Sequence, residues 1–367
     1  MTRTDPGAVE PAAAISPALD DLDRRIIAWL RADGRASWTE IASRCGTSLA
    51  TVSRRAHRLL DEGIVRVAVA PVTVYPGNGS SFIVRIGCRA GAVAHVADQL
   101  SARPNIRFLA LVSGPYDIVA EVCVDSRASL VHPLITEIQQ TEGVEWSQTD
   151  LILHEYKTAQ DWTWQLLVGE SIASNVSDPH ACDSGHMDDV DHKIVERMRD
   201  HGRAPFSVVA EELGLDETTV GRRFEAMLNR GCIQVITLAP AAALGFTNEV
   251  LLSIDVSARR LRAVSAELSS FAGVRFVAAT LSGSALLCEM IQPSHQALFS
   301  FLTGTLASIE GVRGWQASME MLTIRRSFVQ TPWWRGELSH YLGEPPAGAN
   351  PRTRSRNRGT ASGASSR

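Results

Sequence analysis

The chain has 367 residues, which exceeds what one hydrophobic core usually supports, so we expect more than one domain. The apolar fraction of 45% and the charged fraction of 21% are typical of a globular protein. The net charge of −4 excludes a surface that is basic overall, so any DNA-binding surface must be a local patch. No apolar run approaches the roughly 20 residues that span a bilayer, and the N-terminus lacks the layout of a signal peptide. A cytoplasmic protein without membrane attachment is therefore expected.

The six cysteines are scattered and form no Cys-x-x-Cys pair, which argues against a disulfide framework and against a zinc ribbon. Residues 178–186 contain the metal-ligand types Asp, His and Cys, but their spacing matches no standard zinc pattern. Linker polarity explains this segment better than metal binding does. We expect no metal site and no cofactor.

Three helical patterns open the chain. Residues 20–32 form an amphipathic pattern, and Ser37-Trp-Thr-Glu40 fits a capping box at the start of a second helix. The dipeptide Gly46-Thr47 separates this helix from a third, Ser48–Glu62, whose polar first residue suits an N-cap. Gly63 ends the third helix, and an extended wing strand follows. A short helix, a glycine turn and a capped helix with hydroxyls and arginines indicate a helix-turn-helix.

The third helix would lie in the DNA major groove, where arginine can bind guanine and hydroxyls can contact phosphates. The alternative is a surface helix with solvated arginines. The candidate DNA-binding residues of the third helix are Ser48, Ala50, Thr51, Ser53, Arg54, Arg55 and Arg58.

Strand and helix patterns alternate after the wing. Phe82, Val84 and Ile86 alternate with Ile83 and Arg85, which predicts a half-buried strand. The following patterns predict a helix at 92–102, strands at 106–112 and 117–124, a helix at 127–141 and a strand at 144–156. The order β-α-β-β-α-β is that of a ferredoxin-like αβ-sandwich.

The whole pattern occurs twice, with an offset of 168 residues. Gly34-Arg-Ala returns as Gly202-Arg-Ala, and Thr51-Val-Ser-Arg-Arg returns as Thr219-Val-Gly-Arg-Arg. The second copy supplies the candidate DNA-binding residues Thr218, Thr219, Arg222 and Arg223. Residues 20–66 hold 9 basic against 7 acidic residues (net +2), whereas 188–234 hold 7 against 10 (net −3). Acidic side chains repel phosphates, so a structural pairing role is the alternative for the second copy.

The fold class is therefore α+β, with two repeats of a winged helix-turn-helix followed by a ferredoxin-like sandwich. The expected segments are a disordered N-terminus (1–17), a first winged helix-turn-helix (18–66), a first sandwich (67–160), a linker (161–186), a second winged helix-turn-helix (187–235), a second sandwich (236–330) and a tail (331–367), disordered from about 345. Trp162, Trp164, Trp333 and Trp334 follow the last strand of each copy and are expected to pack onto a sandwich or an interface.

These motifs resemble the Lrp/AsnC family of transcription regulators, which join a winged helix-turn-helix to a dimerising sandwich that often senses amino acids. The resemblance covers about 18–157 and 187–327. It rests on Leu22-Asp-Arg-Arg-Ile-Ile, Asp33-Gly-Arg, Gly46-Thr-Ser, Leu59-Leu-Asp-Glu-Gly-Ile64, Ser113-Gly-Pro-Tyr-Asp117 and Ala239-Pro-Ala-Ala-Ala-Leu-Gly-Phe246. It implies double-stranded DNA as a partner, an intramolecular pseudo-dimer and further homo-oligomerisation.

In such relatives, glycine-containing loops help to form an effector pocket between subunits. The resemblance therefore marks Ser113, Gly114, Tyr116 and Asp117 as candidate effector-binding residues, with Asp117 accepting a hydrogen bond from an α-amino group. The alternative is a plain strand-joining turn, for which Gly-Pro is ordinary. The matching loop at 282–286 lacks both the tyrosine and the acid.

The sequence thus predicts a DNA-binding transcriptional regulator that responds to an amino acid or a related metabolite, and not an enzyme. One alternative is a siroheme decarboxylase, an enzyme that looks like this fold but carries a His-Asn-Tyr stretch. The comparable places here hold Arg107-Phe-Leu and Arg275-Phe-Val, without histidine. A sensor or partner protein with weak DNA binding is the other alternative.

Overall fold

The computed structural model describes residues 19–72, 79–124, 127–158, 187–281 and 285–342. The expected N-terminal segment, the linker with its candidate ligands and tryptophans, the loop at 282–284 and the tail beyond 342 lie outside the described residues. Within the described ranges, none of the helices has the length and apolar composition that crossing a bilayer requires.

The first helix-turn-helix, here called head 1, contains α1 (Asp21–Ala32), α2 (Trp38–Cys45) and α3 (Leu49–Asp61), as the sequence patterns predict. Ser37 caps α2 by accepting a hydrogen bond from the Glu40 amide at 3.1 Å. The Glu40 carboxylate accepts bonds from Arg44 one turn later, so the predicted capping box is only half formed. Gly46 follows α2 with a left-handed φ of 64°, a conformation that costs glycine little.

Head 2 repeats this arrangement with α6 (Asp189–Met198), α7 (Phe206–Leu213) and α8 (Glu217–Asn229). Asp188 and Asp191 form the reciprocal capping box that head 1 lacks. Phe224 is fully buried at the centre of the head 2 core, and a side chain of this size contributes about 1.5–3 kcal/mol when it leaves water.

Each head continues into a sandwich with the predicted β-α-β-β-α-β order. The first sandwich contains β2 (Ser80–Cys88), α4 (Val93–Ser101), β3 (Ile106–Val112), β4 (Ile118–Val124), α5 (Arg127–His132, extended by π-helical turns over Pro133–Gln139) and β5 (Val144–Thr158). The second contains β7 (Asn248–Val256), α9 (Leu261–Ser270), β8 (Val274–Thr280), β9 (Leu286–Gln292), α10 (His295–Ser300, extended over Phe301–Leu306) and β10 (Val312–Arg326).

The two long strands join the sandwiches into one closed sheet. The first half of β5 pairs with β2, and its second half pairs with β8 of the other sandwich. In the same way, β10 pairs first with β7 and then with β3. The two copies therefore form an intramolecular pseudo-dimer in which each long strand bridges the two sandwiches.

Both faces of this sheet are largely buried along β2, β4, β7 and β9, whereas β5 and β10 keep exposed residues. The helices of each sandwich cover its outer face, whereas the inner faces meet in a separate core that includes Ile83, Tyr116, Val119, Leu251 and Leu287. The prediction that β2 is half-buried was therefore wrong, because Ile83 and Arg85 point toward the second sheet. A single strand pattern does not reveal a partner sheet supplied by a distant repeat.

The wing strands β1 (Arg66–Pro71) and β6 (Ile233–Leu238) pair with each other in antiparallel register, from Arg66 opposite Leu238 to Pro71 opposite Ile233. After β10, the short strand β11 (Val329–Gln330) leads to α11 (Trp334–Tyr341). Trp334 is buried in the core of the first sandwich and Trp333 packs against the wing strands, which confirms the packing role predicted for this pair.

Candidate nucleic-acid interface and charged core

The exposed face of α3 begins at its N-terminus. The Ser48 hydroxyl accepts a hydrogen bond from the Thr51 amide at 3.2 Å, and the two hydroxyl oxygens lie 2.9 Å apart. Val52, Ala56 and Leu59 are buried against α1 and α2, which leaves the opposite face free to meet a ligand. A helix held in this way presents its first two turns to solvent, as a groove-reading helix must.

The predicted DNA-contacting residues of head 1 fall into two groups. Ser48, Ala50 and Arg54 are exposed on the outer face, and Thr51 and Ser53 lie at its margin. In the part of the chain that the structure describes, no hydrogen bond or ion pair holds the Arg54 guanidinium. Arg54 is therefore the cation of α3 that is best placed to meet a phosphate or a base.

Arg55 and Arg58 are held by α1 instead. The Arg55 guanidinium donates to Asp20 at 2.6 Å and to Asp23 at 3.0 Å, and Arg58 donates to Asp23 at 2.7 Å. The Asp23 side chain is only 3% exposed. The Asp23 amide and then the Arg55 guanidinium hold the pKa of Asp20 below its usual value. These two arginines fasten α3 to α1, although Arg58 retains an exposed edge.

Head 2 keeps the arginine that joins its reading helix to its first helix, but it lacks the serine cap and the second arginine of head 1. Arg223 binds Asp188 at 2.9 Å and Asp191 at 2.8 Å, as Arg55 binds its own pair. Thr218 and Arg222 are exposed on α8, and Thr219 is partly exposed. The position of Ser48 is taken by Asp216, whose side chain caps no amide, and the position of Arg58 is taken by Ala226.

Reciprocal arginines fasten the two heads to each other. Arg35 of head 1 donates to the carbonyl oxygen of Gly202 at 2.5 Å. Arg203 of head 2 donates to the carbonyls of Gly34 at 2.6 Å and Ala36 at 2.9 Å. Burial lowers the pKa of both arginines below the usual value. The repeated Gly-Arg-Ala motif is therefore a head-to-head contact.

Aromatic rings complete this contact on both sides. The Arg203 guanidinium carbon lies 3.8 Å from the Trp38 ring centre, and that of Arg35 lies 4.4 Å from the Phe206 ring centre. Together with the β1–β6 pairing, these contacts fix the separation and orientation of α3 and α8. The sequence marked this motif as evidence of duplication and of the family resemblance, but it did not predict a contact between the heads.

The loop predicted to bind an effector is docked against the other sandwich. Ser113 accepts a hydrogen bond from the Met319 amide at 3.0 Å, and the buried Tyr116 hydroxyl lies 3.2 Å from the Ser318 hydroxyl. Asp117 accepts a bond from the Cys88 amide at 2.8 Å, and Gly114 has a φ of 112°. In this arrangement Asp117 and Tyr116 bond to the protein itself, so the turn also serves the pseudo-dimer interface.

The sequence did not predict a charged core that β7, β8, β9 and β10 build together. Arg275 binds Glu249 at 2.7 Å and also contacts Glu289, and Glu320 lies 3.5 Å away. Arg326 binds Glu289 at 2.7 Å and lies 3.4 Å from Glu320. Oxygens of the three carboxylates lie within 4.8 Å of one another, but guanidinium groups already occupy the position of a cation between them.

The first sandwich contains a smaller version of this network. Arg107 binds Glu121 at 2.7 Å and Glu155 at 2.9 Å. Burial lowers the pKa of Arg107, but the charges of Glu121 and Glu155 outweigh it and raise the pKa above its usual value, so the guanidinium remains charged. Arg107 and Arg275, the two residues that the sequence analysis compared with the His-Asn-Tyr stretch, are both held by acidic neighbours.

Two linked winged helix-turn-helix heads on paired ferredoxin-like sandwiches are the architecture expected of a DNA-binding regulator. The chain matches the AsnC-type helix-turn-helix domain at residues 19–60 and 187–228, and the Lrp/AsnC ligand binding domain at 81–162. An uncharacterised HTH-type transcriptional regulator of Pyrococcus furiosus is 30% identical over 135 residues, which is 36% of this chain and 91% of that protein. The HTH-type transcriptional regulator FL11 of Pyrococcus furiosus is 30% identical over 141 residues, 38% of this chain and 92% of that protein. The chain belongs to the Lrp/AsnC family of transcriptional regulators and holds its unit in tandem.

The crystal structure of the siroheme decarboxylase NirDL is also similar. It superposes with a TM-score of 0.53 at 13% identity and covers 88% of this chain and 100% of that chain. At this identity the likeness shows a shared fold and nothing about chemistry.

Proposed function

We propose that this regulator reads DNA with α3 and α8 together and that Arg54 and Arg222 make the central contacts. The observation that carries the proposal is the reciprocal bonding of Arg35 and Arg203, because it holds the two helices as one unit. Helix-turn-helix proteins that hold two reading helices in this way bind half-sites about 34–36 Å apart.

The two heads are proposed to contribute unequally. Head 1 carries Ser48 and Arg58 where head 2 carries Asp216 and Ala226. Phosphate attraction supplies most of the non-specific affinity for DNA, and the acidic first turn of α8 opposes it. Head 1 therefore provides most of the affinity, and head 2 adds the contacts of Arg222, Thr218 and Thr219.

A salt-dependent DNA-binding titration on the region upstream of the protein's own gene tests this proposal. Arg54→Ala is expected to weaken binding by at least tenfold and to flatten the salt dependence, since each lost phosphate contact lowers the slope by about one. Arg222→Ala is expected to have a smaller effect in the same direction. Arg259→Ala, an exposed arginine beside α9, is the matched control. Unchanged binding in both head variants contradicts groove reading.

The small-molecule response is proposed to act on the arrangement of heads and sandwiches. A ligand shifts such an equilibrium only by the difference between its affinities for the two arrangements. An amino acid or a similar metabolite fits the sensing role of the family. Association of further copies through the sandwiches is part of the same proposal, and sedimentation of the full chain with and without a ligand measures it.

The enzyme alternative has a direct test of its own. Binding of a tetrapyrrole would require Arg107 and Arg275 to leave their acidic partners or to contact the ligand at an edge. An absorbance titration of the full chain with an iron uroporphyrin is expected to show no saturable spectral change. Stoichiometric binding would favour a decarboxylase and contradict the proposed role as a regulator.

A further inference from the structure

The first helical residue differs between the two reading helices. Helix α3 begins with Leu49, whose side chain is 49% exposed, and α8 begins with Glu217, which is also exposed. The offset of 168 residues places them at the same position in their heads. Neither side chain belongs to the buried core of its head. Among the described residues, no hydrogen bond or ion pair holds the Glu217 carboxylate, so it is available to a ligand.

The outer faces of the two helices otherwise share their main cation. Arg54 and Arg222 are both exposed, and each follows the first helical residue by five positions, about 7.5 Å along the helix axis. Arginine binds guanine through two hydrogen bonds. The heads therefore agree at this arginine and differ at the N-terminal end of the helix, whose residues meet base edges in a helix-turn-helix.

The two side chains at that end suit different bases in the major groove. Thymine presents a C5-methyl group and the O4 acceptor, whereas cytosine presents an N4 amine that donates hydrogen bonds. The apolar side chain of Leu49 can pack against the thymine methyl, and Ala50 beside it adds no polar group. The Glu217 carboxylate can accept a hydrogen bond from the cytosine amine, and it is repelled by the O4 atom of thymine.

We propose that Leu49 and Glu217 are specificity-determining residues that make the two half-sites unequal. The half-site of head 1 carries thymine, and the half-site of head 2 carries cytosine at the same place. Arg54 and Arg222 bind a guanine in both half-sites, and the differing base lies within about two base pairs of it. This inference rests on the function proposed above, because it needs both helices in the groove.

The charge of Glu217 also acts on DNA of any sequence. A carboxylate repels phosphates, so its removal strengthens binding to every site by a similar factor. Base recognition instead changes the ratio of the affinities for two sites that differ in one base pair. This ratio is the decisive readout, since a purely electrostatic role leaves it unchanged.

Selection of binding sites by the full chain from a random-sequence DNA library tests the proposal. The wild type is expected to select two half-sites that share a guanine and differ in the nearby base, thymine in one and cytosine in the other. Glu217→Leu is expected to select thymine in both half-sites, and Leu49→Glu is expected to select cytosine in both. Retention of the cytosine by Glu217→Leu overturns the proposal.

Fluorescence anisotropy measures the preference of head 2. Replacement of the selected cytosine·guanine pair by thymine·adenine is expected to weaken wild-type binding about fivefold or more, which is the usual cost of one wrong base pair. The same replacement is expected not to weaken binding of Glu217→Leu. Glu211→Leu removes an exposed carboxylate of α7 in the same head and is the matched control, which should keep the cytosine preference. Equal ratios in the wild type and Glu217→Leu contradict the role of the carboxylate.

Uracil isolates the contribution of the thymine methyl in head 1. Replacement of the selected thymine by uracil removes only that methyl group and is expected to weaken wild-type binding about two- to fourfold. Leu49→Ala is expected to bind the two DNAs with equal affinity. Loss of affinity on uracil substitution that is as large in Leu49→Ala as in the wild type contradicts the role of Leu49. Circular dichroism of each variant checks that the fold is retained.

The outcomes distinguish this inference from the proposed function. A wild-type chain that selects no sequence from the library contradicts the proposed function and this inference with it. Selection of two identical half-sites, or of a single half-site, leaves DNA binding standing and overturns the inference alone.

Discussion

Asp23 of α1 accepts hydrogen bonds from two guanidinium groups of α3 and therefore links these two helices of head 1. Its side chain is 3% exposed, and Arg55 and Arg58 reach it from α3. Removal of one partner from a largely buried pair leaves the other charges without compensation. Asp21, two residues earlier, is 96% exposed at its side chain, and among the described residues its one ion pair is with Arg24.

Asp23→Asn is expected to lower the free energy of unfolding of head 1 by about 1–3 kcal/mol, a range reduced from fully buried pairs because both arginines are partly exposed. Urea unfolding at pH 7 measures this loss. Asp21→Asn is the control, and its change should stay within about 0.5 kcal/mol. A loss of equal size in both variants contradicts the role given to Asp23.

Glu337 of α11 makes stability depend on pH, because burial and the nearby Glu249 charge raise its pKa to about 7. It lines a cavity together with Glu249 from β7 and Tyr341 from its own helix. The other charged or titratable side chains of that cavity are Arg31, Arg275, Arg326, Glu320 and His340. A carboxyl whose pKa rises on folding binds its proton more tightly when folded, so its contribution is favourable at low pH and is lost as pH rises through about 7.

Glu337→Gln keeps the neutral form at every pH. It is therefore expected to unfold at a higher temperature than the wild type at pH 8, by an amount equivalent to about 1–3 kcal/mol, and at a similar temperature at pH 5. Calorimetric melting at the two pH values measures the difference. Glu267→Gln, which removes an exposed carboxylate of α9 outside the cavity, should show no such dependence, and a parallel shift of both variants contradicts the argument.

The wing strands are the elements that bring the heads together, and glycine permits their close approach. A Cβ at Gly202 would lie 2.9 Å from the Ala68 carbonyl carbon and 3.0 Å from the Ala68 amide nitrogen of β1. The Gly202 amide also donates to the Val67 carbonyl at 2.8 Å. The Ala68 backbone cannot move aside as a flexible side chain can, so any residue larger than glycine at position 202 would collide with β1.

Gly202→Ala is expected to destabilise the head-to-head contact by about 1–3 kcal/mol, the usual cost of overpacking, and to weaken DNA binding without touching DNA. Denaturant unfolding and DNA titration measure the two effects. Gly336→Ala in α11, where a Cβ would meet nothing within 4 Å, is the control and should be neutral or slightly stabilising. Unchanged DNA affinity in Gly202→Ala would show that DNA binding does not depend on the contact between the heads.

At the level of elements, local patterns predicted most of the fold. The buried stripe of Val52, Ala56 and Leu59 has helical spacing, and the strand Ile106–Val112 begins and ends where the sequence indicates. The partners of Arg55 and of Arg203 were not predictable, because they lie 32 and 167 or more residues away. The same applies to the inner face of β2 and to the charged core around Arg275, where distant strands supply the neighbours.

At the level of the whole molecule, rigid pairing of the heads determines the spacing of half-sites that the proposed DNA reading requires. The wing pairing and the reciprocal arginines hold α3 and α8 at one separation. An insertion of about 5 base pairs between the half-sites rotates one of them by half a turn of B-DNA, so only one head can bind.

Such an insertion is expected to reduce affinity to that of an isolated half-site, as measured by fluorescence anisotropy. An insertion of about 10 base pairs returns the second half-site to the same face of the DNA but moves it farther from the first. Both heads should therefore still be unable to bind at once. Substitution of the spacer sequence at constant length is the control and should change binding only slightly. Equal affinity for all spacings would mean that the heads move independently.

The covalent duplication gives the complex a polarity on DNA. Two identical subunits related by a twofold axis look the same from either end of their site. Here Ser48 and Arg58 stand on one side, with Asp216 and Ala226 on the other. If the two heads read DNA as proposed, the chain binds its site in a single direction, and α11 faces the same flank of the promoter each time. Inverting the operator sequence in place would turn the α11 surface toward the DNA on the other side of the operator.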